Sequence, residues 1–137
     1  MTKILDGKAV SSAVKENIKA DVGALKKKGI DVSLAVVLVG NDPASKIYVA
    51  NKKKACEATG IRSLEYILNE NTTEKEIVDL IKKLNANSSV NGILCQLPLP
   101  KGLDEKKIIN TISPEKDVDA FHPVNVGKIM IGDFDFV

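Results

Sequence analysis

The stretch SKIYVANKKKAC, Ser45 to Cys56, sets a tyrosine and three consecutive lysines close behind a serine. If the stretch is helical, each residue turns by about 100°, so Lys52 lies about 40° from Tyr48, Lys53 about 140°, and Lys54 about 120° on the other side. Ser45 falls about 60° from Tyr48, which makes Ser45, Tyr48 and Lys52 one polar stripe. A lysine beside an aromatic ring and partly withdrawn from water favours its neutral form more than a free lysine does, and can act as base or proton donor near neutrality. The competing reading is a solvated basic run, the common fate of lysines on a helix.

Two later segments hold possible partners. In QLPLP, Gln96 to Pro100, two prolines fix the backbone while Leu97 and Leu99 stay apolar. Leu97 and Pro98 beside one amide form a rigid wall suited to a flat heteroaromatic ligand. Gln96 both donates and accepts hydrogen bonds, so it can orient a lysine or touch a ligand. The segment reads equally well as a rigid crossover packed on a neighbour, and either X-Pro bond is a candidate for the cis form. In DVD, Asp117 and Asp119 project to one side if the chain there is extended. A carboxylate there can accept two parallel N–H bonds, although turn chemistry is the alternative. A divalent-metal site lacks the further carboxylates or histidines that would complete it. His122, the only histidine, precedes Pro123 and reads as structural.

The elements that must position these residues follow from periodicity. Val10, Val14, Ile18, Val22 and Leu25 predict an amphipathic helix over Ala9–Lys28, ended by Gly29 and seated on a core by that stripe. SLAVVLVG, Ser33–Gly40, is a β-branched run bounded by a turn at Asn41-Asp42-Pro43, the pattern of a strand buried on both faces. A helix over Pro43–Thr59 ends at Gly60, and a strand follows over Ser63–Leu68. Thr73 and Glu76 form a possible capping box for a third helix with the stripe Ile77, Leu80, Ile81 and Leu84. VNGILCQ then supplies a short buried strand, followed by a helix near Asp104–Ile112, the loop SPEKDVDAFHPVN and an apolar piece GKIMIG. This order predicts an α/β fold, a three-layer sandwich with a mostly parallel sheet flanked by helices. Ligands of such sheets bind beyond the carboxyl ends of the strands, which here are VGNDPAS and CQLPLPKG.

The chain as a whole sets bounds on function. Its 137 residues, 44% of them hydrophobic, fit one domain. With 20 Lys+Arg against 18 Asp+Glu, a net charge of +2 gives no global reason for a polyanionic partner, and the short lysine run has no aromatic platform for nucleic acid. Cys56 and Cys95 lack metal-ligand spacing, the N-terminus MTKILDGKAV has no export signal, and no apolar run approaches the roughly 20 residues of a membrane span. The expectation is a soluble, cytoplasmic protein without a membrane or nucleic-acid partner. G-x-G-x-x-G, Walker A and G-x-S-x-G motifs are absent from the sequence.

VGNDPASKIYVANKKKACEATGI, then GILCQLPLP, then PEKDVDAFHPVNVGK, in this order between about Gly7 and Gly132, closely resemble the bifunctional methylenetetrahydrofolate dehydrogenase/cyclohydrolase family. The resemblance implies that Tyr48 stacks on folate, that Lys52 is the catalytic lysine, that Gln96 orients and tunes it, and that Asp119 binds the pterin edge. It implies a substrate surface of Ser45, Tyr48, Val49, Ala50, Asn51, Lys52, Cys95, Gln96, Leu97, Pro98 and Asp119. It further implies a small-molecule tetrahydrofolate derivative as substrate and NADP as cofactor. The family oxidises methylenetetrahydrofolate with NADP and hydrolyses the methenyl product to formyltetrahydrofolate, as a homodimer in full-length members.

Two departures from the family pattern set further expectations. Ala120 stands where members often have glycine, so a positive φ there is expected to be unneeded or met differently. The sequence ends at Val137, where the family continues into a Rossmann-type NADP-binding domain and a returning segment. Residues 1–137 are therefore expected to be the folate-binding catalytic domain, with no cofactor-binding residues of their own and no dehydrogenase competence alone. The alternatives are a folate-binding module without turnover and a short-chain dehydrogenase, which shares Tyr-x-x-x-Lys but requires a glycine-rich first turn.

Overall fold

The computed structural model describes residues 6–134. Five α-helices and three strands alternate as α1 (Gly7–Lys27), β1 (Ser33–Val39), α2 (Pro43–Thr59), β2 (Arg62–Leu68), α3 (Glu74–Ala86), β3 (Gly92–Cys95), α4 (Glu105–Ile109) and α5 (Pro123–Ile131), with a 3-10 turn at Pro114–Lys116. The strands form a parallel sheet in the order β2-β1-β3. Strand β1 is central, and from Leu34 to Val39 it is apolar throughout, as suits a strand hydrogen-bonded on both sides and covered on both faces; only Ser33 at its start is polar.

Alternation along the strands divides the interior in two. Ala35, Val37, Val39, Ile93 and Cys95 point to one face, where Ile77, Ile81 and Leu84 of α3 and Ile108 and Ile109 of α4 cover them. Val36, Leu38 and Leu94 point to the other face, against Val49 of α2. The expected three layers, helix over sheet over helix, are thus present. Ile77, Ile81 and Ile93 have no solvent exposure, and cutting one such side chain back to alanine costs about 2–5 kcal/mol.

Local chemistry sets the helix ends. Thr73 and Glu76 form the expected capping box at α3. Asp42 caps α2 by accepting from Ser45 N at 2.7 Å, Pro43 begins the helix, and Gly60 (φ 83°) ends it in the left-handed region. Gly40 (φ 84°) turns the chain out of β1, and a side chain there would meet Pro100 Cγ at 3.3 Å and Glu70 Cβ at 3.4 Å. The loops after all three strands therefore converge at this glycine.

Helix α1 departs from expectation. Only Val22 of its stripe is buried, whereas Val10, Val14, Ile18 and Leu25 remain exposed. The helix lies on α2 rather than on the sheet. Periodicity identifies an apolar face but not the surface that covers it. The piece GKIMIG lies in α5, whose Met130 and Ile131 are also exposed.

Candidate active site

Helix α2 carries Lys52 on its covered side. By helical phase, Ser45, Val49, Lys52, Cys56 and Thr59 fall within an arc of about 80°, and all but Lys52 are buried. Lys52 is half-buried, the one member of the lysine run inside that arc. Its ammonium donates from Nζ to Gln96 Oε1 at 3.1 Å.

The sheet explains why Gln96 is the partner. Its backbone N–H donates to Val37 O at 2.9 Å, which extends the β3 ladder by one residue. Position 96 therefore shares a face with Leu94, the face covered by α2. The Gln96 side chain donates from Nε2 to Leu97 O at 2.7 Å, so the amide nitrogen is occupied and the oxygen is presented to Lys52. Ser45, 1% exposed, directs Oγ to the same Leu97 carbonyl at 3.5 Å, tying the first turn of α2 to QLPLP. The Leu97–Pro98 bond is cis.

Asp119 completes the group. Burial raises its carboxyl above the ordinary aspartate range; Lys52 opposes that rise and Asp117 adds to it. Burial, with smaller contributions from the charges of Glu105 and Asp119, pushes the Cys95 thiol up to about 12, so Cys95 stays protonated and unreactive. The two aspartates do not act together. Asp117 is buried and turned inward, where its Oδ2 accepts from His122 N at 2.8 Å and from Asn125 Nδ2 at 3.0 Å. Ala120, directly after Asp119, has φ 55°, so the positive φ that glycine accommodates easily is present and is borne by alanine. His122 is structural as expected, with Nδ1 accepting from Val124 N at the start of α5.

The structure thus gathers Ser45, Lys52, Gln96, Leu97 and Asp119, with the Tyr48 ring exposed at the rim of the covered arc. The rest of the expected surface is not brought in. Val49 packs into the core with Val36, Leu38 and Leu94, and Cys95 packs in the opposite cluster and meets the group only through the charge of Asp119. Ala50 borders a hollow with Lys53, Glu65 and Ile67, and Asn51 is exposed. Contiguous residues on a helix cannot all face one way. Pro98 instead lines a cavity of about 460 Å³ with Gly40, Asn41, Asp42, Glu70 and Lys101, beside the group rather than at it. Lys53 is not merely solvated, since it pairs with Glu65 at 3.0 Å, while Lys54 is exposed.

Gly92 and Asn125 escaped the sequence reading. A side chain at Gly92 would stand 2.5 Å from Val118 Cγ1, so the glycine seats the loop that carries Asp119. Asn125 is 2% exposed and ties that loop to α5. The only signal in the sequence is an asparagine inside an otherwise apolar run, which does not name its partners. Among the described residues no cluster of His, Cys, Asp or Glu suits a metal ion, and no helix is long and apolar enough to cross a membrane.

The sequence profile of the family described as tetrahydrofolate dehydrogenase/cyclohydrolase, catalytic domain, matches residues 5–119. The bifunctional protein FolD of Acetivibrio thermocellus is 59% identical over 135 residues, which are 98% of this chain and 47% of that protein. The crystal structure of the bifunctional FolD methylenetetrahydrofolate dehydrogenase/cyclohydrolase from Campylobacter jejuni superposes with a TM-score of 0.95 at 51% identity, covering 98% of this chain and 48% of that one. The methylenetetrahydrofolate dehydrogenase-cyclohydrolase of Trypanosoma brucei, solved with NADP cofactor and an inhibitor, superposes at 0.90 with 33% identity, over 95% of this chain and 44% of that one. The chain spans about half the length of the curated relatives it matches. By the match across residues 5–119 and these likenesses, the chain belongs to the tetrahydrofolate dehydrogenase/cyclohydrolase family.

Proposed function

We propose that the chain is the folate-binding catalytic domain of a bifunctional methylenetetrahydrofolate dehydrogenase/cyclohydrolase, with Lys52 as its catalytic residue. The observation that carries this reading is the Lys52–Gln96 hydrogen bond of 3.1 Å at the carboxyl end of the sheet, in a chain of this family. The pterin amino group and ring N–H are a donor pair that the Asp119 carboxylate matches. Tyr48, exposed beside Lys52, offers its face to the aminobenzoate ring. Water adding to the methenyl carbon loses a proton as the ring opens, and Lys52 receives and relays it. Gln96 holds the amine in place and accepts without adding charge. The cation of the methenyl substrate disfavours a second positive charge nearby, which helps the amine to act as a base.

Among the described residues, the turn after β1 and the start of α2 do not fit a dinucleotide pyrophosphate. The turn after β1 is closed by Pro100 and Glu70 against Gly40, and the amide of Ser45 at the start of α2 is taken by the Asp42 carboxylate, whose charge repels phosphate. NADP binding and hydride transfer are therefore proposed for the remaining half of the full-length relatives, and the setting we propose is the cytoplasm. Hydrolysis of methenyltetrahydrofolate by the chain, followed by loss of its absorbance, tests the reading. Lys52→Met should abolish turnover while Lys54→Met keeps it; equal losses would overturn the assignment. Folate binding without turnover in the unmodified chain would reduce it to a binding domain.

A further inference from the structure

We propose that the buried pair Asp117 and Asn125 are positioning residues, which lock the loop 117–122 so that the Asp119 carboxylate stands at Lys52 without themselves touching the ligand. This rests on the folate reading of the same site. Asp117 is 3% exposed and Asn125 is 2% exposed. One carboxylate oxygen of Asp117 accepts from both His122 N and Asn125 Nδ2, and that same Nδ2 also donates to Pro114 O at 2.8 Å. The pair therefore joins the 3-10 turn, the loop and the first turn of α5.

The constraints surround position 119 and leave it free. Asp117 bridges to Ile93 of β3, Val118 lies over Gly92, Ala120 N donates back to Asp117 O at 3.3 Å, and His122 N is held by Asp117. Residues 117, 118, 120 and 122 are each fixed, while the Asp119 side chain takes no part in those bonds and lies within electrostatic reach of both Lys52 and Asp117. Packing does not account for so firm a hold. The apolar members of the segment, Val118 and Phe121, are 53% and 52% exposed, whereas Asp117 and its partner Asn125 are buried. Burying a carboxylate on neutral donors is costly unless its bonds are complete. A loop that served only to cover the core would bury the valine and phenylalanine and expose the polar groups.

The test uses the 137-residue chain with two readouts, the affinity for 5-formyltetrahydrofolate by calorimetry and the titration of the Asp119 carboxyl carbon by 13C NMR without ligand. Asn125→Leu should weaken the affinity about tenfold in the native background and by less than about twofold in an Asp119→Ala background, because residues acting through one another are not additive. The Asp119 titration should move toward the ordinary aspartate range as the loop releases the side chain to water. Asp117→Asn, whose amide oxygen accepts the same two bonds, should lose less affinity than Asp117→Ala. If Asn125→Leu does not fold, Gly92→Ala displaces Val118 from the β3 side and should give the same pattern. Equal losses in both backgrounds, or an unmoved Asp119 titration, would overturn the positioning role. If the unmodified chain fails to bind 5-formyltetrahydrofolate while the Asp119 titration moves, the folate reading falls and the positioning role stands.

Discussion

Two neighbouring lysines of α2 meet opposite fates. Lys52 is half-buried and gives its proton's direction to a neutral amide, Gln96. Lys53, one residue on, is exposed and pairs with the Glu65 carboxylate, whose hydrogen bond and charge raise its pKa. A carboxylate partner secures the protonated state, whereas an amide partner fixes the geometry of the amine without adding charge. Same-sequence neighbours thus acquire different chemistry from which element each faces.

The strongest challenge to that contrast is to remove each amine. Lys52→Met should lower the rate of methenyltetrahydrofolate hydrolysis by about a hundredfold or more, the range of a lost general acid or base, while Lys53→Met stays within about twofold of the unmodified chain; comparable losses would dissolve the distinction. A subtler challenge converts one lysine's environment into the other's. Gln96→Glu places a carboxylate at Lys52 and should move the rising limb of the pH–rate profile to higher pH, because the base now holds its proton more tightly. An unshifted profile would show that Lys52 does not act as the base. Gln96→Ala should cost about tenfold through lost orientation, with its effect in the rate at saturating substrate.

Smaller effects probe the carboxylate beside them. Burial raises the Asp119 pKa in the folded chain above its unfolded value near 3.8, so the folded state binds this proton more tightly. Its contribution to stability is full below about pH 3.8 and is lost as pH rises through the folded pKa, so at pH 7 the ionised group is a liability. Asp119→Asn should therefore raise the melting temperature at pH 7, with the gain vanishing in acid, while weakening folate binding. A lower melting temperature at pH 7 would contradict the burial. The least effect is expected at Cys95, which should resist iodoacetamide at pH 8 in the native chain, since its thiol is buried with a pKa of about 12.

Much of this arrangement was legible because it is local. The span Pro43–Thr59, the capping box at Thr73 and Glu76, and the apolar strand β1 all matched their sequence patterns. Helical phase alone separates Lys52 from Lys53 and Lys54. What failed was whatever depends on an opposing surface. The α1 stripe is amphipathic as expected, but only Val22 of it is buried, while Val14 and Ile18 line an open hollow against Ala55, Cys56 and Thr59 of α2. Val49, Ala50 and Asn51 are expected together on the substrate surface, and the helix turns their side chains toward different surroundings. The Lys53–Glu65 pair needed the packing of α2 on β2 to be known. Asn125 finds its partners 8 and 11 residues away in a loop without periodicity, where no pattern of period two or 3.6 could have predicted them.

The ladder bond from Gln96 to Val37 also determines which kinds of genetic change the site can survive. Along β3 and its extension, Ile93 and Cys95 belong to one layer, and Leu94 and Gln96 to the other. A conservative exchange at Ile93 or Leu94 alters packing and leaves this parity intact. Deleting one residue between Asn91 and Gln96 inverts it, turning a thiol toward the ammonium of Lys52 and sending the amide into hydrocarbon. The reading frame of the strand is therefore a stricter requirement than the identity of most residues in it, and the segment should tolerate many substitutions but no single-residue insertion or deletion.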